Sequence, residues 1–525
     1  MGYSKYNATA ATLTKNRTAG SITPNSGLCA TCVDGCVGMC EVGKSAYRAG
    51  EVIYPQPFGV ITTASEKSYP VDFSHFQIMG GCVGAQGIEA DSDKAIFPNV
   101  KLETKVGHNP GVKLRMPVVF GGLGSTDIAA KNWEGLAVGA ALSGVILTIG
   151  ENVCGMDMDA EIVKGRVVKS PELARRVKLF KDWQKGYGTC VVQANVEDGR
   201  LGVQEYAVSK LGVDTVELKW GQGAKNIGGE VKIGNIKKAR ILKDRGYVVL
   251  PDPANAAVAK AFDKGSFKEF ERHSRVGMVS EEGFLKRAKE LRDCGAKHVF
   301  LKTGAYRPVD LARAIKFSSL AKIDLLTVDA AGGGTGMSPW RMMNEWGMPP
   351  IELFSLLHQY CDLLAKKGEF VPHIAIAGGF AFEDQMFKGL AMGSPYVKAI
   401  EMARAPLTAA MVAKTIGKRI ATGDMPVYIG RFGATVDEVF VLASELREEL
   451  GKDFDKVPVG ALGVYSYLQR LSQGLRQLMC GARKFSLDHM KRDDIAALTL
   501  DAARISGISY IMDLDKEEAL KIIKG

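Results

Sequence analysis

The feature that most constrains this chain is a recurrence. Beyond residue 110, short apolar runs alternate with stretches of helical period. Eight of the runs have strand length: 117–121, 145–150, 190–195, 215–219, 299–302, 325–329, 373–377 and 396–401. Eight parallel strands with helices between them predict an α/β fold, a (β/α)8 TIM barrel over 111–408. An N-terminal extension over 1–110 precedes it, turn-rich and without clear alternation. A mostly helical extension, 409–525, follows. Residues 221–273 read as a long insertion after the fourth strand. The length of 525 residues suits one large barrel with extensions, and a hydrophobic content of 46% can fill its core.

Barrels of this kind place their chemistry where the strands end, so the residues closing each run are the informative ones. The first run leads into Gly121, Gly122 and Ser125, and the second into Glu151. The third ends at Gln193, and the fourth at Lys219, followed by Gln222 and Lys225. The fifth ends at Lys302. The sixth ends at Asp329, followed by Gly333 and Gly334, and the seventh by Gly378 and Gly379. Polar and glycine residues at strand ends all round the ring are more than a structural barrel needs.

The glycine turns expose backbone N–H groups that can cradle a phosphate, although a lone Gly-Gly pair also serves as a tight turn. Lys302 can point into the barrel mouth, beside a flavin ring, or snorkel to solvent. Lys219, Gln222 and Lys225 can hold a dicarboxylate by charge-assisted hydrogen bonds, or form a surface loop. Glu151 and Asp329 can act as polar anchors or acid–base groups.

Four of the ten cysteines fall within twelve residues: Cys29, Cys32, Cys36 and Cys40. Four clustered thiolates can ligate an iron–sulfur cluster or a tetrahedral zinc. A 4Fe-4S cluster is the expected occupant, because the close, single-segment spacing is unlike a structural zinc site built from two distant pairs. The formal net charge is +10, with lysine and arginine dispersed among acids. That pattern reads as a solvated basic face, or as one that docks an acidic electron carrier. No nucleic-acid motif is present. Neither a signal peptide nor a membrane-length apolar run is visible, so no membrane contact and a cytoplasmic location are expected.

Three pieces of the chain, in order, carry a resemblance: Lys219 to Lys225, Asp329 through the glycine run to Pro339, and Ala377 to Gly379. Together they resemble the FMN-binding synthase domain of the glutamate synthase family, over roughly residues 110–430. The resemblance implies an FMN whose phosphate lies near Gly378, Gly379 and the loop after the eighth strand. Gln193 and Lys302 would contact the isoalloxazine, the segment Gly121 to Ser125 would lie along it, and Lys225 would sit beside a 2-oxo acid. The implied reaction is reductive amination of 2-oxoglutarate with ammonia to L-glutamate, with Lys225, Gln222 and Glu151 as catalytic candidates. Related reactions on another amine, such as N-methylglutamate formation, and an electron-transfer flavoprotein subunit without its own substrate remain alternatives.

Departures accompany the likeness. Asn226 through Glu230 stand where the family places a proline, further glycine and a glutamine, and Lys398-Ala399-Ile400 stand where it places Gly-Phe-Gly. Lys398 is therefore expected to replace backbone donors at the phosphate. The family's three-cysteine motif after the barrel is missing, and Gly2 follows Met1 where an amidotransferase would carry a nucleophilic cysteine. Ammonia is then expected free or from an amidotransferase partner subunit, electrons from a ferredoxin or similar partner, and the assembly to be an oligomer.

Overall fold

The computed structural model describes residues 67, 69–108, 110–221, 230–333 and 340–525. Eight strands close into one parallel barrel. In chain order they are β1 (Val118–Leu123), β2 (Ile146–Ile149), β3 (Cys190–Ala194), β4 (Thr215–Lys219), β5 (His298–Thr303), β6 (Leu325–Asp329), β7 (His373–Ala377) and β8 (Val397–Met402). The ring closes by pairing β8 with β1, Glu401 lying opposite Val119. The α/β barrel expected from the sequence is the observed fold, and each of its eight strands coincides with one of the apolar runs.

Side chains alternate along a strand, so residues two apart share a face. The inward face has two storeys. The lower one is apolar: Val119, Ile146, Val191, Phe300, Leu325, Ala375 and Ala399 pack together. A hairpin of Thr104–Val106 and Val112–Leu114 plugs the barrel from beneath, adding Val106, Val112 and Leu114 to the same cluster. Two residues further along β3, β4, β5, β6 and β8 the inward residues are polar: Gln193, Glu217, Lys302, Thr327 and Glu401, all buried.

Three long helices brace one side: α1 (Asp127–Ser143), α2 (Arg404–Thr422) and α3 (Val459–Gly481). Thr126 caps α1 by accepting from the Ala129 N–H, and Gly144 ends it in the left-handed conformation at φ 66°. Close packing of α1 on α3 requires glycine, since a Cβ on Gly139 would lie 2.5 Å from Val464 Cβ. The insertion after β4 contains a three-stranded sheet of Glu230–Ile233, Val248–Leu250 and Phe270–His273, with its own small core around Phe270, Tyr247 and Leu242. Beyond Ala409 the described chain is mainly helical, apart from a short strand, Ile495–Ala497, paired with Phe76–Ile78. Among the described residues no helix is long and apolar enough to cross a membrane.

Candidate active site

The polar storey and the strand ends above it form one buried network. Lys302, near the end of β5, reaches across the barrel to the Glu401 carboxylate on β8 and lies 3.5 Å from Asp329 Oδ2 at the end of β6. Gln193 on β3 donates its amide to Glu217 on β4, the residue beside it in the sheet. Lys219, two residues further along β4, pairs with Glu151 Oε2 at 2.8 Å. Both lysine side chains are almost wholly enclosed, 7% exposed for Lys302 and 5% for Lys219.

Burial dictates the protonation of this cluster. Desolvation, and then the neighbouring Glu401 carboxylate, push Glu217 up to about 7. Glu401 is raised as well, mainly by burial, with Lys302 pulling it back down. Burial opposes the charge on Lys302, but Glu401, Asp329 and Glu217 outweigh it and hold the ammonium above the usual lysine range. Several carboxylates around one ammonium leave a negative surplus, which the raised Glu217 carboxyl reduces by holding its proton up to about pH 7.

The glycines at the rim let backbone and side chains approach closely. A Cβ on Gly121 would lie 2.7 Å from Glu401 Oε1, and one on Gly122 2.7 Å from Gln193 Oε1. Ser125 follows, half-buried. Beyond β6 and β7 two turns lie against each other: a Cβ on Gly332 would meet the Gly378 carbonyl oxygen at 2.9 Å. Gly333 sits over Asp329, its Cβ position 2.5 Å from Oδ1. Gly378 and Gly379 take φ of 134° and 105°, conformations that side chains rarely adopt.

A second buried network adjoins the first on the β2–β3 side. Asp198 accepts from the Asn152 backbone N–H at 2.8 Å. Desolvation raises Asp198 to about 7, and the charge of Glu151 adds to the rise. Arg272, from the insertion, is buried with its guanidinium 5.0 Å from the centre of the Tyr247 ring, and feels the charges of Glu151 and Asp198. Arg275 pairs with Glu197 at 2.9 Å. The insertion thus supplies charge to the neighbourhood of Glu151.

The structure gathers Gly121, Gly122, Ser125, Glu151, Gln193, Lys219, Lys302, Asp329, Gly333, Gly378 and Gly379 at the carboxy-terminal mouth. Gln222, Lys225, Gly334 and the cysteines Cys29, Cys32, Cys36 and Cys40 lie outside the described residues. Lys398 requires correction. It sits at the amino-terminal end of β8, where the pairing with β7 shifts register, and its charge acts on His373, the first residue of β7. It therefore belongs to the opposite end of the barrel from the glycine turns and is not the phosphate ligand expected from the sequence. The residue of β8 that reaches the mouth is Glu401. Glu401 and Glu217 were missed as site residues. Their signal was a lone carboxylate in an apolar strand, two positions from another inward residue.

The fold is a closed parallel α/β barrel with a charged carboxy-terminal mouth. The conserved region in glutamate synthase matches residues 272–415, which run through β5 to β8. The glutamate synthase resemblance is borne out over that stretch, which holds two of its three motifs. No curated protein matches the sequence. Solved structures with similar chain traces include the recombinant flavin-binding domain of baker's yeast flavocytochrome b2 (11% identity, 85% of this chain and 81% of that one, TM-score 0.45). Another is a soluble mutant of the membrane-associated (S)-mandelate dehydrogenase from Pseudomonas putida (14%, 81% and 88%, TM-score 0.41). A third is a mandelate oxidase mutant with a monooxide FMN adduct (12%, 80% and 87%, TM-score 0.42). None of the three bears on the ligand or substrate of this chain.

Proposed function

We propose that this protein is an FMN-dependent oxidoreductase of glutamate synthase type, acting between an amine and a 2-oxo acid. The observation that carries the reading is the convergence of Lys302, Asp329, Gly333 and Gly378, all within the stretch matching glutamate synthase, on one barrel mouth. The residues suit a flavin. Gln193 Oε1, Glu401 Oε2 and Thr327 Oγ1 are buried without a hydrogen-bond partner, which leaves polar atoms to meet the polar edge of a flat heteroaromatic ring. Gly332 and the turn at Gly378–Gly379, with the start of α2 after β8, offer backbone N–H groups for a phosphate.

When bound, FMN supplies reversible two-electron exchange at a carbon–nitrogen bond. The chain's own residues then have separate tasks. Gln193 and Lys302 orient the ring's polar edge. Glu151 is positioned by Lys219 and is the candidate to take a proton from a substrate amine or return it. Lys225 and Gln222 are the candidates for the substrate carboxylate. The enclosure of the polar storey excludes water, which strengthens each of these interactions. Cys29, Cys32, Cys36 and Cys40 would hold an iron–sulfur cluster that brings electrons from a ferredoxin-like donor.

A specific observation favours the alternative on another amine. Among the described residues the mouth and the network beside it hold Glu151, Asp198, Glu217, Asp329 and Glu401 against Lys219, Lys302 and Arg272. That acidic surplus suits a substrate bearing a cation better than a bare dicarboxylate.

Anaerobic purification with an absorbance spectrum and iron and sulfide assays tests the cofactors. Released FMN is expected, and a well-folded protein with no flavin would sink the proposal. Turnover with 2-oxoglutarate and either ammonia or methylamine separates the two substrates. A strong preference for ammonia would exclude the methylamine reaction.

A further inference from the structure

We propose that Glu401 sets the reduction potential of the flavin by neutralising Lys302. This rests on the FMN reading above and goes beyond it, since it assigns a role to a residue that the resemblance does not supply.

The argument starts from charge. Two-electron reduction of FMN takes up one proton to leave an anion, or two to leave a neutral ring. A lone buried ammonium beside the ring stabilises the anion and raises the potential. On the FMN reading Lys302, near the end of β5, would take that position. In this chain, however, its ammonium is taken by Glu401 from across the barrel, with Asp329 at 3.5 Å as a second carboxylate. Glu217, on the neighbouring strand, adds its charge to the same ammonium. Lys219, the other lysine at the mouth among the described residues, is matched by Glu151 at 2.8 Å. Neither cation is left to face the ring uncompensated.

The Glu401 position is built for this contact. A side chain on Gly121 would collide with Glu401 Oε1, so glycine at 121 leaves room for the carboxylate. Glu401 itself is 3% exposed, so its charge is poorly screened by solvent. The consequence is a flavin poised as a stronger reductant than one beside a free lysine, which suits the reduction of an imine. Glu401 is a positioning residue, acting through Lys302.

Anaerobic potentiometric titration of the FMN-loaded protein at pH 8, against reference dyes with dithionite as reductant, tests this. In Glu401→Gln the equilibrium is expected to shift at least tenfold toward reduced FMN, about 30 mV in a two-electron midpoint. Glu401→Asp keeps the charge and is expected to return the midpoint at least halfway to wild type, which also covers the case in which the glutamine variant folds poorly. In a Lys302→Met background, the Glu401→Gln change should move the equilibrium less than threefold, because a buried carboxyl without its cation is already protonated. An unchanged or lowered midpoint in Glu401→Gln overturns the proposal. So does an equal shift with and without Lys302, which would mean that Glu401 acts on the ring directly. A protein that takes up no FMN overturns both readings; one that binds FMN with an indifferent midpoint overturns this one alone.

Discussion

The two storeys of the barrel interior are made by the same strands yet do opposite work. Phe300 and Lys302 are neighbours on one face of β5, one in the lower layer and one in the upper. Below, seven apolar side chains and the hairpin plug pack into one cluster. Above, lysines and carboxylates are enclosed almost as completely. The lower storey gains from burial. The upper one loses hydration that its ion pairs only partly replace. A barrel needs only the first kind of layer to fold, so the second marks where stability is given up for chemistry.

The largest effect should come from breaking the lower storey. Phe300→Ala leaves a cavity in a closed ring and should cost about 3–5 kcal/mol in urea unfolding. Lys302→Met should break the upper storey in a different, pH-dependent way. At pH 8 it strands Glu401 and Asp329 without their cation and should cost about 3 kcal/mol. At pH 5 the loss should shrink, because a Glu401 carboxyl that burial keeps protonated costs less as pH falls toward the ordinary carboxylate range. An equal loss at both pH values would mean that the upper storey is held by packing rather than by charge.

Glu217→Gln sharpens the comparison further. The folded-state value of Glu217, about 7, lies above its ordinary 4.5. The folded protein therefore holds the extra proton between those values, and wild-type stability falls as pH rises from about 4.5 to 7. The shift corresponds to at most about 3 kcal/mol. The glutamine variant lacks this slope, so it should gain on wild type toward pH 8 in unfolding measurements. A constant difference from pH 4 to 8 would show that Glu217 titrates alike in the folded and unfolded chains.

The smallest effect belongs to Lys398→Ala. Lying at the amino-terminal end of the barrel, it should leave FMN affinity unchanged and cost below about 1 kcal/mol. Its removal should also let the His373 imidazole titrate higher. That group is now depressed to about 4 by burial, then His108 and Lys398, and NMR can follow it. A large fall in FMN affinity would restore Lys398 to the phosphate site.

The sequence by itself determined the eight strands and most of the residues that crown them. Apolar runs of period two are a local signal, and glycine at a turn carries its reason in its own backbone. Tertiary structure alone decided which charges meet. Lys302 and Glu401 are 99 residues apart, with β6 and β7 between their strands in the ring. No local pattern relates them, because their contact depends on barrel closure and on the register that aligns Glu401 with Val119. The same register sets Lys398 at the far end of β8. The composition of Lys398-Ala399-Ile400 suggested a phosphate loop, but a strand's direction and height in the barrel fix which of its residues reach the mouth.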